Sequence, residues 1–266
     1  MNAAATVNWA ISIRDAAGRE LANYNADRTM QIASVGKLLL LVEVARQFSE
    51  GTLAADDMLS QDPALLVADS GLWQHLHIDA LSIHDLCVLV ASVSDNLATN
   101  ILLKRIGFQR LRELCKSLDL ANTALLDYVR DPRGPNDPST FSTGSASELS
   151  RLMSQISRKE LVSQEVSEHV NAWLAAGVDL SMVASAFGLD PLSHATSGRH
   201  FFIRNKTGTD TRIRADVGTV GRDGFWLSYA VIANWDTPEP TTPDTALAGM
   251  NAVGKILRGT IDRNSG

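Results

Sequence analysis

The stretch Gln31-Ile32-Ala33-Ser34-Val35-Gly36-Lys37-Leu38-Leu39-Leu40-Leu41 joins a polar connection to a strongly apolar run. The change of character marks a helix that begins at Ser34 or just after it. Four consecutive leucines imply that this helix is buried on nearly all sides. Residues three apart share a helix face, which sets the Ser34 hydroxyl beside the Lys37 ammonium. Serine is a poor nucleophile until a neighbouring base takes its proton. A lysine can be that base when burial or a second cation lowers its pKa. Taken alone, the pair reads most simply as an N-cap serine and a solvated first-turn lysine, since Ser-x-x-Lys arises roughly once by composition in a chain this long. Gly36 inside the turn is unusual, because glycine there costs about 0.5–1 kcal/mol of rigidity.

Outward from this helix, Val7 to Ile13 and Glu20 to Tyr24 read as a hairpin around the turn Asp15-Ala16-Ala17-Gly18. The Ser34 helix is expected to run to about Phe48 and stop at Gly51. Asp69-Ser70-Gly71-Leu72-Trp73 reads as an exposed loop. Ser82-Ile83-His84-Asp85 resembles a capping box and opens a helix to about Val93; further helices are expected over Leu97 to Ile106 and Gln109 to Leu118. Three prolines and a glycine between Asp131 and Pro138 exclude helix and central strand, and read as an Ω-type loop. Ser145-x-x-Glu148 is a second capping box, with a helix to about Ile156, and Glu160 to Phe187 reads as helical with a break near Gly177. Phe201 to Lys206, Ile213 to Val220 and Phe225 to Ala233 are strands at hairpin spacing, and Ala246 to Ile261 closes the chain as an amphipathic helix.

Two strands, then about 150 residues of helix, then three strands and a helix suggest a discontinuous domain with another inserted into it. The economical assembly is an α/β (α+β) fold with two lobes. Residues 1–32 and 195–266 would form one antiparallel sheet flanked by helices, and residues 33–194 an inserted all-helical domain. Ser34 then falls at the seam, where small-molecule sites preferentially form.

Composition narrows the function classes. The net charge of −6 and the lack of any Lys/Arg block argue against a nucleic-acid partner. No apolar run approaches the roughly 18 residues of a membrane span. Residues Met1 to Thr6 lack a basic or apolar leader pattern, so the chain reads as cytoplasmic as written, or as periplasmic or secreted if a leader has been trimmed. Cys87 and Cys115 read as buried thiols, and the six histidines are scattered without a metal-ligand cluster.

Two further tripeptides change the reading of Ser34. Ser94-Asp95-Asn96 sits between two expected helices, and Lys206-Thr207-Gly208 ends an expected strand. Ser-x-x-Lys, Ser-Asp-Asn and Lys-Thr-Gly in that order are the motif set of class A β-lactamases and penicillin-binding proteins. The chain resembles these penicillin-recognising serine hydrolases over nearly its whole length. The likeness includes Tyr24-Asn25-Ala26-Asp27-Arg28 and Ser94-Asp95-Asn96-Leu97-Ala98-Thr99-Asn100-Ile101-Leu102-Leu103. The resemblance implies the two-lobe fold, no cofactor, a monomer, and a β-lactam or related amide or ester as small-molecule partner. It also implies roles. Ser34 would be the nucleophile and Lys37 its base. Ser94 would carry the proton to the leaving nitrogen, and Asn96 would hold the substrate's side-chain amide. Lys206, Thr207 and Thr209 would hold a carboxylate beside Gly208, with the backbone N–H groups of Ser34 and Thr209 as oxyanion hole. Arg214 matches the place of a carboxylate-binding arginine, and Trp73 is either an aromatic wall of the site or a surface hydrophobe.

One departure stands out. The family's deacylation base is a glutamate on the Ω-loop, yet no glutamate occurs between Ala121 and Ala146. Asp131, followed by proline, is the nearest substitute, and Asp137 a second. The simpler reading of Asp131 is a carboxylate that structures the loop by pairing with Arg130 or Arg133. Acylation is therefore expected to be intact, and deacylation slow or routed through a non-standard base. Two alternatives stay open: an esterase or D-amino-acid peptidase-like hydrolase of the same fold, and a non-catalytic ligand-binding relative.

Overall fold

Five antiparallel strands bring the two ends of the chain together. The computed structural model describes residues 6–67, 69–130, 132–192, 201–236 and 241–264. Asp131 and the expected domain boundary at 194/195 lie outside the described residues. In chain order the strands are β1 (Val7–Asp15) and β2 (Glu20–Tyr24), then the short β3 (Met30–Gln31), β4 (Met58–Ser60), β5 (Ala80–Ser82), β6 (Ala124–Leu125) and β7 (Ser142–Gly144). The long strands β8 (Phe202–Asp210), β9 (Ile213–Arg222) and β10 (Phe225–Trp235) follow. The helices are α1 (Lys37–Ser49), α2 (Ile83–Ser92), α3 (Asn96–Ile106), α4 (Phe108–Ser117), α5 (Ala146–Ser157), α6 (Gln164–Leu174) and α7 (Thr242–Asn264).

The main sheet has the order β2-β1-β10-β9-β8. The α5 helix packs on one face, and α7 with the 3-10 turn Val183–Phe187 covers the other. Alternation along β10 feeds both sides: Ala230 and Ile232 enter the core shared with the helices, while Tyr229, Val231 and Ala233 enter the core beneath α7. The α1 helix is ringed by α2, α3, α4 and α6, and each of Leu38, Leu39, Leu40 and Leu41 is no more than 1% exposed. Its one buried acid, Glu43, is matched by Arg46 Nε at 2.8 Å and Gln47 Nε2 at 2.8 Å, as a buried charge requires.

Both capping boxes form their serine half. Ser82 Oγ accepts from the Asp85 N–H at 3.1 Å, and Ser145 Oγ from the Glu148 N–H at 3.3 Å. Glu148 does not return to its cap. Its carboxylate gathers the N–H groups of Ala121 and Asn122 and the Thr123 hydroxyl instead, fixing the loop after α4. Three expectations shift. Ser34 caps nothing: it lies inside a 3-10 turn, Ala33–Gly36, and α1 begins at Lys37. Helix over 160–187 is confined to α6 and the later 3-10 turn. The strand expected to end at Lys206 runs on to Asp210, because Thr207 and Thr209 pair with Asp216 and Arg214 on β9.

Candidate active site

The turn that carries Ser34 is clamped from two sides. Ala33, just before it, has φ +45°, a left-handed conformation that costs a non-glycine residue energy unless its surroundings fix it. The Ser142 hydroxyl donates to Ala33 O at 2.5 Å, and the Val35 N–H donates to Ile32 O at 3.1 Å. Two glycines permit this closeness. A Cβ on Gly36 would collide with Ser142 Cβ and lie 2.8 Å from its Oγ. A Cβ on Gly208 would run into Ile32 O and lie 3.1 Å from Ser34 N. Gly36 is thus required by the approach of β7, and Gly208 lets the edge strand β8 press flat against the nucleophile turn.

Lys37 is fully buried and spends its amine on three oxygens: Ser94 O at 2.6 Å, Ser94 Oγ at 3.0 Å and Asn96 Oδ1 at 2.8 Å. Burial, then the nearby Lys206 charge, push its pKa well below the ordinary lysine value, with Asp95 pulling weakly the other way. Lys206 Nζ reaches the same Ser94 Oγ at 3.1 Å and donates to Thr207 O at 2.9 Å. Two lysines therefore meet at one serine hydroxyl. Burial lowers Lys206 to about 8, against the attraction of Asp179 and Asp216.

Ser94 has φ +57° in the α2–α3 turn. Asp95, beside it, organises the surroundings. Its carboxylate caps α3 through the Ala98 N–H at 2.9 Å and also accepts from the N–H groups of Leu72 at 2.7 Å and Trp73 at 2.9 Å. The Asn96 N–H donates to Ser70 O at 3.0 Å, so the loop 69–73 is tied down over the α2–α3 turn.

Ser34, Ser94, Lys206, Thr207 and Thr209 line a cavity of about 210 Å³, together with Asp179. A second cavity of about 590 Å³ shares Ser34 and Thr209 but is bounded by Asn96, Arg130, Arg133 and Arg214. Arg214 therefore borders the second cavity, whereas Lys206 borders the first; the Arg214 guanidinium donates to Asp210 O and Ile213 O, each at 2.8 Å, and lies over the Trp235 ring. Trp73 does not wall the site. Its ring is wholly buried in the helical core and its indole N–H donates to Ile78 O at 3.0 Å, because the Asp95 clamp draws the backbone at Trp73 inward. Asp69, Ser70 and Leu72 are the exposed members of that loop.

Asp131 lies outside the described residues. Both arginines offered as its partners are held by other acids: Arg130 by Asp127 at 2.7 Å and Asp137 at 3.0 Å, Arg133 by Asp127 at 2.6 Å. Asp137 also accepts from the Gly134 N–H at 2.7 Å. Asn100 pins the start of this loop, accepting from the Val129 N–H and donating to Val129 O, each at 2.8 Å.

The sequence reading missed Asp179 and Asp216. The Asp216 carboxylate is buried between β8, β10 and the Val183 turn. Burial and the neighbouring Asp179 raise it to about 7, against hydrogen bonds from Asn205, Tyr229 and the Val183 N–H. Ile213-Arg214-Ala215-Asp216-Val217 alternates apolar and charged residues, so its period puts Asp216 with Arg214 on the polar face and carries no signal of burial.

Known structures share this architecture. The β-lactamase from Sphaerobacter thermophilus DSM 20745 is 23% identical over 93% of this chain and 89% of its own, with a TM-score of 0.79. A leucine-to-glutamate variant of PBP-A, solved as an acyl-enzyme complex with penicillin G, is 21% identical over 97% and 91%, with a TM-score of 0.80. The chromosome-encoded β-lactamase of Vibrio parahaemolyticus is 16% identical over 96% and 93%, with a TM-score of 0.78. These likenesses establish the fold. A model of the beta-lactamase enzyme family matches residues 1–260, and the chain belongs to that family.

Proposed function

We propose that this β-lactamase-like serine hydrolase opens a β-lactam or related amide through an acyl-enzyme on Ser34, and that it releases the acyl group slowly. The observation that carries the reading is the Lys37–Ser94–Lys206 contact chain, in which Ser94 and Lys206 line the same cavity as Ser34 and Lys37 is buried behind them. A neutral lysine has two N–H donors and one lone pair. Ser94 O and Asn96 Oδ1 can only accept, so they take both donors. The lone pair is then left to accept a proton, from the Ser94 hydroxyl at rest and from Ser34 during attack. In acylation the Ser34 oxygen bonds to the carbonyl carbon, and its proton passes to Lys37. Ser94 gives its own proton to the leaving nitrogen as the C–N bond breaks, and Lys37 restores it. Lys206 orients Ser94 and draws a substrate carboxylate, which the hydroxyls of Thr207 and Thr209 share.

The oxyanion site follows from register. Asp210 and Ile213 close a two-residue hairpin, so alternation turns the Thr209 N–H away from β9, towards the cleft. It would act with the Ser34 N–H. Since Ser94 and Lys206 serve the leaving side, the acyl side group belongs in the second cavity, near Asn96 and Arg214.

Slow deacylation is favoured by the commitments of the loop. Asp127 and Asp137 are held by Arg130, Arg133 and the Gly134 N–H, which leaves neither free to activate a water. Asp131 is the candidate that the sequence offers. The same commitments favour a second reading, a peptidase- or esterase-like relative that β-lactams trap. Intact-protein mass after mixing with penicillin G tests both: a single adduct that forms on the wild type, is absent in Ser34→Ala and persists for many minutes is the expected result. Rapid return to the unmodified mass means that a working base exists, and no adduct sinks acylation itself. Turnover of a chromogenic cephalosporin against that of a p-nitrophenyl ester separates the two substrate classes.

A further inference from the structure

Asp216 is a fully buried carboxylate near the cleft that the acylation scheme does not use. It stands opposite Thr207 on the neighbouring strand and belongs to a continuous polar tie. Its Oδ1 accepts from Asn205 Nδ2 and from the Tyr229 hydroxyl, each at 3.1 Å, and its Oδ2 accepts from the Val183 N–H at 3.0 Å. Asn205 Nδ2 also donates to Asp179 O at 3.3 Å, and Asp179 itself borders the small cavity. Burial would raise the Asp179 carboxyl, but hydrogen bonds from Ser181 and Thr207, with the Lys206 charge, hold it below the usual value.

We propose that Asp216 is a positioning residue for the anion subsite: it fixes Asn205 and the Val183 turn behind Lys206, and its charge keeps Lys206 cationic enough to bind a substrate carboxylate. The proposal rests on the reading of Lys206 as the anion-binding lysine. Three donors converge on a carboxylate at the back of the strand that carries Lys206, Thr207 and Thr209, and an uncharged residue there would hold the backbone but not the charge. The ionisable groups around it are Asp179 from the segment after α6, Lys206 from β8 and Tyr229 from β10. Arg214, two residues away on β9, lines the other cavity. Asp216 at about 7 and Lys206 at about 8 titrate next to each other, so ionising the first supports protonation of the second.

The test uses the full chain with 13C-labelled lysine, the Lys206 signal being assigned by Lys206→Arg. The Lys206 midpoint is expected to fall by about half a pH unit or more in Asp216→Asn, which keeps a similar shape without the charge. A midpoint unmoved in a folded variant overturns the proposal. Should Asp216→Asn not fold, Tyr229→Phe removes one donor to Asp216, raises the acid further and is expected to move Lys206 the same way; no movement there overturns the proposal too. The functional arm compares labelling of Ser34 by penicillin G and by its methyl ester across pH. In Asp216→Asn the alkaline limb is expected to move to lower pH for the free acid alone. An equal loss for both compounds at every pH marks a purely structural role and overturns the proposal. If wild type is labelled by neither compound, the Ser34 reading fails, and the lysine titration still decides the role of Asp216.

Discussion

Replacing Gly208 by alanine tests how tightly the edge strand is seated on the nucleophile turn. The added methyl would run into Ile32 O and lie 3.0 Å from Val35 N and 3.1 Å from Ser34 N. All three neighbours are backbone atoms, so no side-chain tip can swing aside. Overpacking of this kind costs about 1–3 kcal/mol. For a chain of this size each kcal/mol lowers Tm by roughly 2–4 °C, giving a fall of about 2–12 °C. Whatever strain is relieved by moving the turn also moves Ser34, and a displacement of about 1 Å costs on the order of a hundredfold in rate. Thermal melts together with the rate of penicillin labelling read both effects. Gly259→Ala is the control: its nearest atom is Arg263 Nη1 at 3.6 Å, in mid-helix. It should gain about 0.5–1 kcal/mol with unchanged labelling. A Gly208→Ala protein that melts within a degree of wild type and is labelled within twofold of it would refute the argument from close approach. Gly36→Ala should be similarly impaired but partly rescued by Ser142→Gly, because there the obstructing atom belongs to a side chain.

Other expectations follow from the loop and the buried charges. Asp131→Glu sets a glutamate at the candidate position before proline and should shorten the adduct lifetime by about a hundredfold, the usual scale for a general base; an unchanged lifetime would remove position 131 from consideration. Asp127→Asn leaves Arg130 and Arg133 without their shared acid and should lower stability by about 1.5–3 kcal/mol in urea melts, with acylation retained. Acylation by a β-lactam carboxylate should decline as pH rises through about 8, where Lys206 loses its proton, whereas a methyl ester should be less affected. Because the Asp216 carboxyl is raised to about 7 from 3.8, the folded chain holds a proton between those values that the unfolded chain has lost. Its contribution therefore falls as pH rises through that window, and urea melts at both ends of it should show wild type losing stability relative to Asp216→Asn.

Much of the fold could be read in the residues. Apolar stretches at hairpin spacing marked the five strands of the main sheet, the Leu38–Leu41 run gave the central helix, and the serines at positions 82 and 145 gave two helix starts. These signals are local: period, cap and turn act within a few residues. The short strands β3 to β7 were not legible, because two or three residues carry no period and are held only by distant partners, as Met30 is by Gly144. The extension of β8 past Lys206 was hidden for the same reason, since Gly208 weakens a strand pattern unless one knows what lies against it.

By itself, the sequence determined that a serine, two lysines and a second serine occur in the order and context of a penicillin-recognising hydrolase, and that the usual loop glutamate is missing. The tertiary structure decided what those residues feel. Lys37 is deprived of water by α1's burial and set against Lys206 through Ser94. Trp73 is turned into the core, and Arg214 borders a different cavity from Lys206. Asp216 is placed behind Lys206 although ten residues separate them along the chain. Identity and order are written in one dimension. Burial and charge proximity depend on which strands pair and which helices cover them, and they arise only when the two ends of the chain close into one sheet.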